Sequence, residues 1–172
     1  GSNQDLTSNI LPDSHFLSPN LGRELLNSGK TFASYSEDLP NIGSDAETNG
    51  LYVRRHNPSA NWMGTGTNQF PSSLNKPFTD FPTDFNLLPN VSFIIPNLCS
   101  DGHDPCFPLY NRTTQFDQWL QTRLGEYADW CKEHNSLLII TYDEDEFTGV
   151  NKIATVFYGA HVVTGVYDKM IN

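Results

Sequence analysis

The chain has 172 residues, of which 37% are hydrophobic and 12% aromatic, enough for one domain with a buried core. Its formal net charge of −10 argues against a nucleic-acid partner, because nucleic-acid phosphates need a surface rich in Lys and Arg. No apolar run approaches the length of a membrane span. A small anionic substrate stays compatible with this charge, because a bound cation reverses the sign locally.

The first predicted elements are a short helix and a strand. Residues 21–28 place three leucines, Leu21 among them, on one helical face, and Gly29 follows as a stop. Residues 30–36 alternate apolar and small side chains, which is typical of a short strand. Residues 41–90 are rich in Asn, Gly, Pro and Ser and predict a long irregular excursion with short turns. Excursions of that length inside a domain are often functional.

The second half of the chain predicts three strands and one long helix. Residues 91–95 form a β-branched and aromatic run closed by Pro96, which indicates a buried strand, and residues 137–142 and 153–158 are similar runs. Between the first two runs, residues 115–133 carry a continuous apolar stripe at helical spacing, formed by Phe116, Trp119, Leu120, Leu124, Tyr127, Ala128 and Cys131. Apolar runs separated by a helix favour an α/β fold with a mostly parallel sheet between helices.

The start of that helix and the cysteines allow two further predictions. Thr114 with Asp117 three residues later suggests a capping box at the helix start. Cys99 and Cys106 could close a small loop, whereas Cys131 falls on the apolar stripe and is predicted to be core. No Cys-x-x-Cys pair occurs, which argues against a structural zinc site.

Two of the predicted strands end in polar clusters. Residues 100–104 include Asp101, His103 and Asp104, and residues 143–146 are four consecutive carboxylates. In parallel sheets ligands collect beyond the carboxyl ends of the strands, so neighbouring strands would bring His103 and Asp143 to one crevice. Histidine with several carboxylates suits a divalent metal, which would also relieve the repulsion among the four anions.

Simpler interpretations are equally open for these side chains. A run of Asp and Glu after a strand is often a solvated turn, and this run is not an EF-hand loop, because Gly149 falls one place late and no Glu closes it. His103 alone is compatible with a surface turn, and His56 with a loop position satisfied by backbone. The other histidines, which are His15, His134 and His161, have no cluster around them in the sequence and are interpreted as structural.

Several segments together resemble the phosphoesterase family of acid phosphatases and phosphocholine-type phospholipases C, within the alkaline-phosphatase superfamily. The similar segments run from residue 1 to residue 172 in the family's order, namely GSNQ, YSEDLP, RRHNP, LPNVSFIIPNLCSDGHD, DQWL, HNSLLIITYDEDE, IATVFYGAHV and the terminal IN. No single segment is specific, but their order and spacing are. The resemblance implies an alkaline-phosphatase-like mixed sheet and metal-dependent hydrolysis of phosphate esters through a phosphoenzyme.

The resemblance also implies roles for individual residues and for the protein's setting. Asp143 and Glu144, followed by Asp145, correspond to the acidic ligands of a divalent metal of unknown identity. His103 corresponds to the histidine that contacts the phosphate or protonates the leaving group, and His56 to a second catalytic histidine. Arg55 would bind the substrate by neutralising phosphate. Asp101 and Asp104 are weaker candidates for the substrate site, where they would hold metal or orient His103. The implied substrate is a small phosphate ester or a lipid head group, and the implied location is secreted or periplasmic.

One departure from the family pattern bears on activity. The family's first metal ligands and its nucleophile precede the GSNQ segment, so residues 1–172 are expected to form a single but partial catalytic domain, incomplete at its N-terminal side and inactive alone. The alternative hypothesis is a non-catalytic relative that binds ligands or surfaces with the same scaffold. A Ser or Thr beside an acidic pair upstream would favour the enzyme.

Overall fold

The computed structural model describes most of the chain, namely residues 11–12, 14–145, 149 and 152–166. Glu146 and the segments GSNQ and IN lie outside these residues. The chain divides into two compact units, Gly1–Gln118 and Trp119–Asn172, which are described separately below. No helix in the described residues is long and apolar enough to cross a membrane.

The regular elements are two helices and seven strands in the described part of the chain. In chain order they are α1 (Leu21–Asn27), β1 (Phe32–Ser36), β2 (Thr48–Asn49), β3 (Tyr52–Val53), β4 (Asn75–Pro77), β5 (Val91–Ile95), α2 (Arg112–Glu133), β6 (Leu137–Thr141) and β7 (Thr155–Gly159). Short 3₁₀ turns connect them, at Arg54–His56, Pro58–Trp62, Ser72–Leu74, Phe78–Asp80 and Phe85–Leu87.

A three-stranded parallel sheet organises the first unit. The strand order is β4–β1–β5, with Ser34 opposite Asn75 and Phe32 opposite Val91. All five residues of β1 are buried, as expected for a central strand. The predicted parallel arrangement is therefore confirmed for this unit. Strands β2 and β3 form a separate antiparallel pair.

Strand β5 is less buried than its sequence predicts. Its residues are half-buried, and Phe93 is 37% exposed. β5 pairs only with β1 in the described residues, so it lies at the edge of that sheet. A β-branched run indicates that a segment prefers the strand conformation. The burial of that strand is determined by the number of neighbouring strands and of layers that cover it.

Much of the core of the first unit comes from the excursion at residues 41–90. A cluster of Phe32, Ala60, Met63 and Phe70 is almost fully buried. Asn75, also fully buried, accepts hydrogen bonds at Oδ1 from Asn57 Nδ2 (2.9 Å) and Ser34 Oγ (3.3 Å). The excursion therefore supplies the strand β4, apolar core and a buried amide network. None of these has a periodic signal in the sequence.

Helix α1 packs closely on this core through a glycine. Asn20 caps the helix by accepting from the Arg23 backbone N–H at 2.9 Å. Leu25 and Leu26 pack against the core cluster as predicted, whereas Leu21 is 55% exposed because it stands at the start of the helix. Gly22 is buried, and a Cβ there would lie 2.9 Å from Phe32 Cε1.

We expect Gly22→Ala to destabilise the protein. The new methyl group would lie 2.9 Å from Phe32 Cε1 and 3.0 Å from Phe70 Cε1. Overpacking of this kind costs about 1–3 kcal/mol, which outweighs the gain of about 1 kcal/mol in helix propensity. Urea unfolding measures the difference. The matched control is Gly125→Ala in α2, where no atom lies within 4 Å and propensity alone should stabilise. Equal gains in both variants would contradict the close packing at Gly22.

Helix α2 begins earlier than predicted and is capped differently. It starts at Arg112, and the Asn111 side chain accepts from the Thr114 backbone N–H at 3.0 Å. Thr114 is therefore inside the first turn, and the predicted capping box with Asp117 is wrong. Asn is as good a cap as Thr, so Asn111 satisfies the free N–H groups one turn earlier.

The second unit packs the C-terminal part of α2 with a two-stranded antiparallel sheet. β6 pairs with β7, with Ile139 opposite Phe157. The predicted stripe of α2 is confirmed in this unit: Trp119, Leu124 and Cys131 are buried. Burial alternates along β6, and Ile139 is 51% exposed, so this strand is half-buried rather than fully buried as its sequence predicts. Periodicity cannot show which face of an apolar strand receives a covering layer.

The three cysteines behave as the sequence suggests, and we expect a simple thiol count to confirm it. Cys99 and Cys106 form a disulfide, and Cys131 is free and fully buried. Burial raises the pKa of the Cys131 thiol, so little thiolate forms near neutral pH. Iodoacetamide should label no cysteine in the native protein, one after denaturation and three after denaturation with reduction. Two or more labels without reduction would contradict the disulfide.

Candidate active site

The carboxyl ends of β1 and β5 are tied together by Asn97. Both parallel strands end at the same edge of the sheet, with Ser36 opposite Ile95. The Asn97 backbone N–H donates to Glu37 Oε2 at 3.1 Å, and its side-chain Nδ2 donates to Asp38 Oδ2 at 2.7 Å. Asn97 is 9% exposed, so these bonds fix the start of the loop that follows β5.

The loop after Asn97 is closed by covalent and polar contacts. The Cys99–Cys106 disulfide joins its two ends. Gln115, in the first turns of α2, accepts from the Cys106 backbone N–H at 2.9 Å and donates to the Cys99 carbonyl at 3.4 Å. The segment that contains Asp101, His103 and Asp104 is thereby held to the sheet edge at one end and to α2 at the other.

Two histidine–aspartate pairs lie close together here, one within the loop and one between the loop and His56. His56 Nδ1 lies 3.1 Å from Asp101 Oδ2, and His103 Nδ1 lies 2.8 Å from Asp104 Oδ1. Asp101 Oδ1 also accepts from the His103 backbone N–H at 2.8 Å. The two imidazole centroids are 5.9 Å apart. The structure therefore brings together four of the residues singled out from the sequence, although His56 precedes the other three by 45 residues or more.

The hydrogen bonds define what each imidazole presents to a ligand. An ionised carboxylate only accepts, so these two pairings assign a proton to Nδ1 of each ring and leave Nε2 to act as a base or, when protonated, as an acid. No hydrogen bond to Nε2 of either ring is made within the described residues. The His56 side chain is 28% exposed and the His103 side chain 60%, so both are accessible.

His56 is positioned by a short turn that is anchored by a buried arginine. It ends the Arg54–His56 3₁₀ turn, between the buried residues Arg54 and Asn57. Arg54 Nη1 pairs with Asp45 Oδ1 at 3.2 Å, and Asn57 Nδ2 donates to Tyr52 Oη at 3.3 Å as well as to the buried amide network. Sequence reasoning did not identify these supports, because a buried Arg or Asn has no distinguishing pattern.

Arg55 points to a different environment from that of the histidine pair. It is exposed and lines a shallow crevice with Leu11, Glu47 and Thr48. No ion pair joins Arg55 to Asp101 or Asp104 in the described residues. Its predicted contact with phosphate stays a prediction. The neighbouring Arg54 is the structural arginine of the RRHNP segment.

The remaining histidines keep local contacts. His15 Nε2 lies 3.0 Å from Asp45 Oδ1, the carboxylate that also pairs with Arg54. His134 stacks on Trp130 with ring centroids 4.1 Å apart and bonds its carbonyl. These contacts agree with the structural interpretation of both residues.

The acidic run follows β6 in the second unit. Asp143 and Glu144 are exposed, and Asp145 is partly buried. Hard carboxylate oxygens suit a divalent cation, but the described residues contain no group of three or more His, Cys, Asp or Glu close enough to hold one. The described part of the chain therefore does not complete a metal site. Whether His103 and Asp143 share a crevice stays a prediction, because they belong to separate units.

Comparison with known proteins gives a consistent family. A family model described as "Phosphoesterase family" matches residues 1–165. A protein of Mycobacterium tuberculosis named phosphatidylinositol-3-phosphatase is 43% identical over 174 aligned residues, which cover 100% of this chain and 54% of that protein.

More distant relatives are fungal acid phosphatases. A probable acid phosphatase of Kluyveromyces lactis is 33% identical over 76% of this chain and 32% of its own length. An acid phosphatase of Aspergillus fumigatus is 30% identical over 76% of this chain and 30% of its own length. The chain thus spans about half or less of the length of these relatives. No solved structure matches it.

Proposed function

This chain belongs to the phosphoesterase family, and from that membership we propose that the full-length protein hydrolyses phosphate monoesters with His56 and His103 as catalytic residues. The pair of imidazoles with carboxylate-bound Nδ1 and unbonded Nε2 is the observation that carries this proposal. The names of the relatives support a phosphatase rather than a phospholipase C, because each names a phosphatase.

His103 is suited to protonate the leaving oxygen. Its exposed imidazole can reach a bound ester, and the bond from Nδ1 to Asp104 at 2.8 Å orients the ring. With Nε2 protonated, the ring can donate that proton to the leaving oxygen as the P–O bond breaks, so that an alcohol departs. The ring is then neutral and can accept a proton from water in the next step.

His56 and Asp101 complement this role. Asp101 uses one oxygen to orient the His56 ring and the other to accept from the His103 backbone, so it sets the spacing of both histidines. With ring centroids 5.9 Å apart, the accessible edges of both rings could contact the same phosphoryl group. We assign His56, when Nε2 is protonated as well as Nδ1, to donating a hydrogen bond to a phosphoryl oxygen, and Asp101 to positioning the His56 ring, in the way that carboxylates orient imidazoles elsewhere.

A divalent metal is a second part of the proposal. Asp143 and Glu144 are the residues that would hold it, together with ligands beyond the described residues. Such an ion would neutralise charge on the phosphoryl oxygens and lower the pKa of a bound nucleophile. By the family resemblance, a Ser or Thr outside the described residues would attack phosphorus and form a phosphoenzyme.

Release of phosphate from p-nitrophenyl phosphate by the full-length protein tests the proposed function. We expect turnover that is lost when a chelator removes the metal and regained when divalent cations are restored. A phosphatidylinositol monophosphate in detergent and a choline phosphodiester extend the test to the lipid and phospholipase C substrate classes. Failure on all three substrates by a folded, metal-supplied protein would favour the non-catalytic binding relative.

A further inference from the structure

Three large apolar side chains stand exposed on the loop that follows the disulfide. Phe107 is 79% exposed, Leu109 41% and Tyr110 66%. Isolated exposed apolar residues are common, but three within four consecutive residues form a contiguous apolar tip. We refer to residues 107–110 as the FPLY tip. Because exposure of this kind is unfavourable in water, it points to an apolar or interfacial partner.

The FPLY tip is braced at both ends. The Cys99–Cys106 disulfide fixes the residue before it, and the Tyr110 backbone N–H donates to the Cys106 carbonyl at 2.8 Å. The residue after it, Asn111, caps α2. The rings of Phe107 and Tyr110 pack edge to face with centroids 6.1 Å apart. The apolar side chains are therefore presented together on a constrained turn, so little ordering remains to be done on binding.

The FPLY tip adjoins the histidine pairs. The disulfide that fixes its base also closes the loop of Asp101, His103 and Asp104. Arg112, two residues after Tyr110, donates from Nη1 to the His103 carbonyl at 3.3 Å. A surface that receives the tip consequently lies next to His103, with an exposed guanidinium available to head-group phosphates.

We propose that Phe107, Leu109 and Tyr110 insert into the interfacial layer of a zwitterionic phospholipid bilayer and so present a lipid phosphate monoester to His103. The proposal rests on the proposed function and names where its substrate resides. Aromatic side chains favour the head-group level of a bilayer, where one end of the ring is apolar and the other is wet. A net charge of −10 disfavours a strongly anionic surface, which is why the bilayer is zwitterionic.

A bilayer explains the FPLY tip better than a protein partner does. The tip consists of three large apolar side chains within four residues, and a stable protein interface needs a much larger area, of about 800 Å² on each partner. Insertion of a few side chains is enough for reversible binding to a membrane surface. The relative from Mycobacterium tuberculosis, whose alignment covers this whole chain, is named for a phosphorylated lipid, and that name supports a lipid substrate.

Co-sedimentation of the full-length protein with phosphatidylcholine vesicles tests the proposal. The triple variant Phe107→Ser, Leu109→Ser, Tyr110→Asn should bind at least about tenfold more weakly, because one buried side chain of this size is equivalent to roughly tenfold or more in affinity. Asn is chosen at position 110 because its φ is 49°, which Asn tolerates. The matched control Leu87→Ser, which removes another side chain that is 72% exposed, should bind like wild type.

A second variant tests the insertion by an increase in fluorescence quenching, which does not depend on whether the triple variant folds. The variant Phe107→Trp should show stronger fluorescence quenching by brominated phosphatidylcholine than the wild type does. The proposal is overturned if wild type does not bind the vesicles, if the Leu87 control loses binding equally, or if the Phe107→Trp variant shows no additional quenching. A dimer that the triple variant converts to monomer, without vesicle binding, would instead assign the tip to a second copy of the chain.

Hydrolysis of soluble p-nitrophenyl phosphate separates this inference from the proposed function. Wild type and the triple variant should have equal kcat/KM on that substrate, while the triple variant loses rate on phosphatidylinositol monophosphate in vesicles. Soluble turnover without vesicle binding would overturn the insertion alone. Vesicle binding without any turnover would overturn the phosphatase proposal and leave the insertion supported.

Discussion

Replacing His103 by alanine should lower kcat of the full-length protein on an alkyl phosphate by about 10²–10⁴-fold, the contribution of a general acid. The loss should be smaller on p-nitrophenyl phosphate, because p-nitrophenolate leaves without protonation whereas an alkoxide needs a proton from Nε2. The fold should survive, since the side chain is 60% exposed and its hydrogen bond to Asp104 is at the surface. Steady-state kinetics of wild type and variant measure the loss of kcat on each of the two substrates.

The control for this variant is His161→Ala. His161 is exposed and belongs to the second unit, outside the histidine pairs. Its replacement should leave both rates unchanged. Equal losses on the two substrates in His103→Ala would assign His103 to phosphate binding rather than to leaving-group protonation, and unchanged rates would remove it from the mechanism.

Replacing Asp143 by asparagine should abolish the metal-dependent part of the activity. Substitution of residues that only orient metal ligands costs about 10–100-fold, so a direct ligand should cost at least that much. The metal concentration needed for half-maximal activity should rise with the loss. Stability should stay within about 0.5 kcal/mol of wild type, because Asp143 is exposed. Metal titrations of activity and urea unfolding provide the two measurements.

A second exposed aspartate separates this effect from a general change in charge. Asp117→Asn removes the same charge from the surface of α2 and should leave the metal dependence unchanged. If Asp143→Asn behaves like Asp117→Asn, the acidic run after β6 is a solvated turn. If it loses soluble expression, Asp143 has a structural role.

The elements that the sequence predicted well are those with a strong local signal. The long helix appears at Arg112–Glu133 with three of the seven stripe residues buried, because apolar residues at helical spacing determine which face packs. β1 and β5 occur where short apolar runs end in polar residues. The disulfide between Cys99 and Cys106 is likewise a local closure across seven residues.

The elements that the sequence did not predict depend on distant partners. The strand Asn75–Pro77 has no strand-like composition and forms because β1 offers its free edge. The half-exposure of Phe93 and Ile139 depends on which layers cover each strand. Asn57 and Asn97 are polar, yet their burial follows from acceptors that lie far away in the chain.

For the candidate site, the sequence by itself determined the chemical groups, because residue types and the order of short segments identify the family and its histidines and carboxylates. Only the tertiary structure decided their pairing. His56 meets Asp101 across 45 residues because the 3₁₀ turn that ends at His56 lies against the disulfide-closed loop. The residue type determines the functional group of a side chain. The distance of about 3 Å between two such groups is determined by the tertiary packing of their elements, which no local sequence pattern specifies.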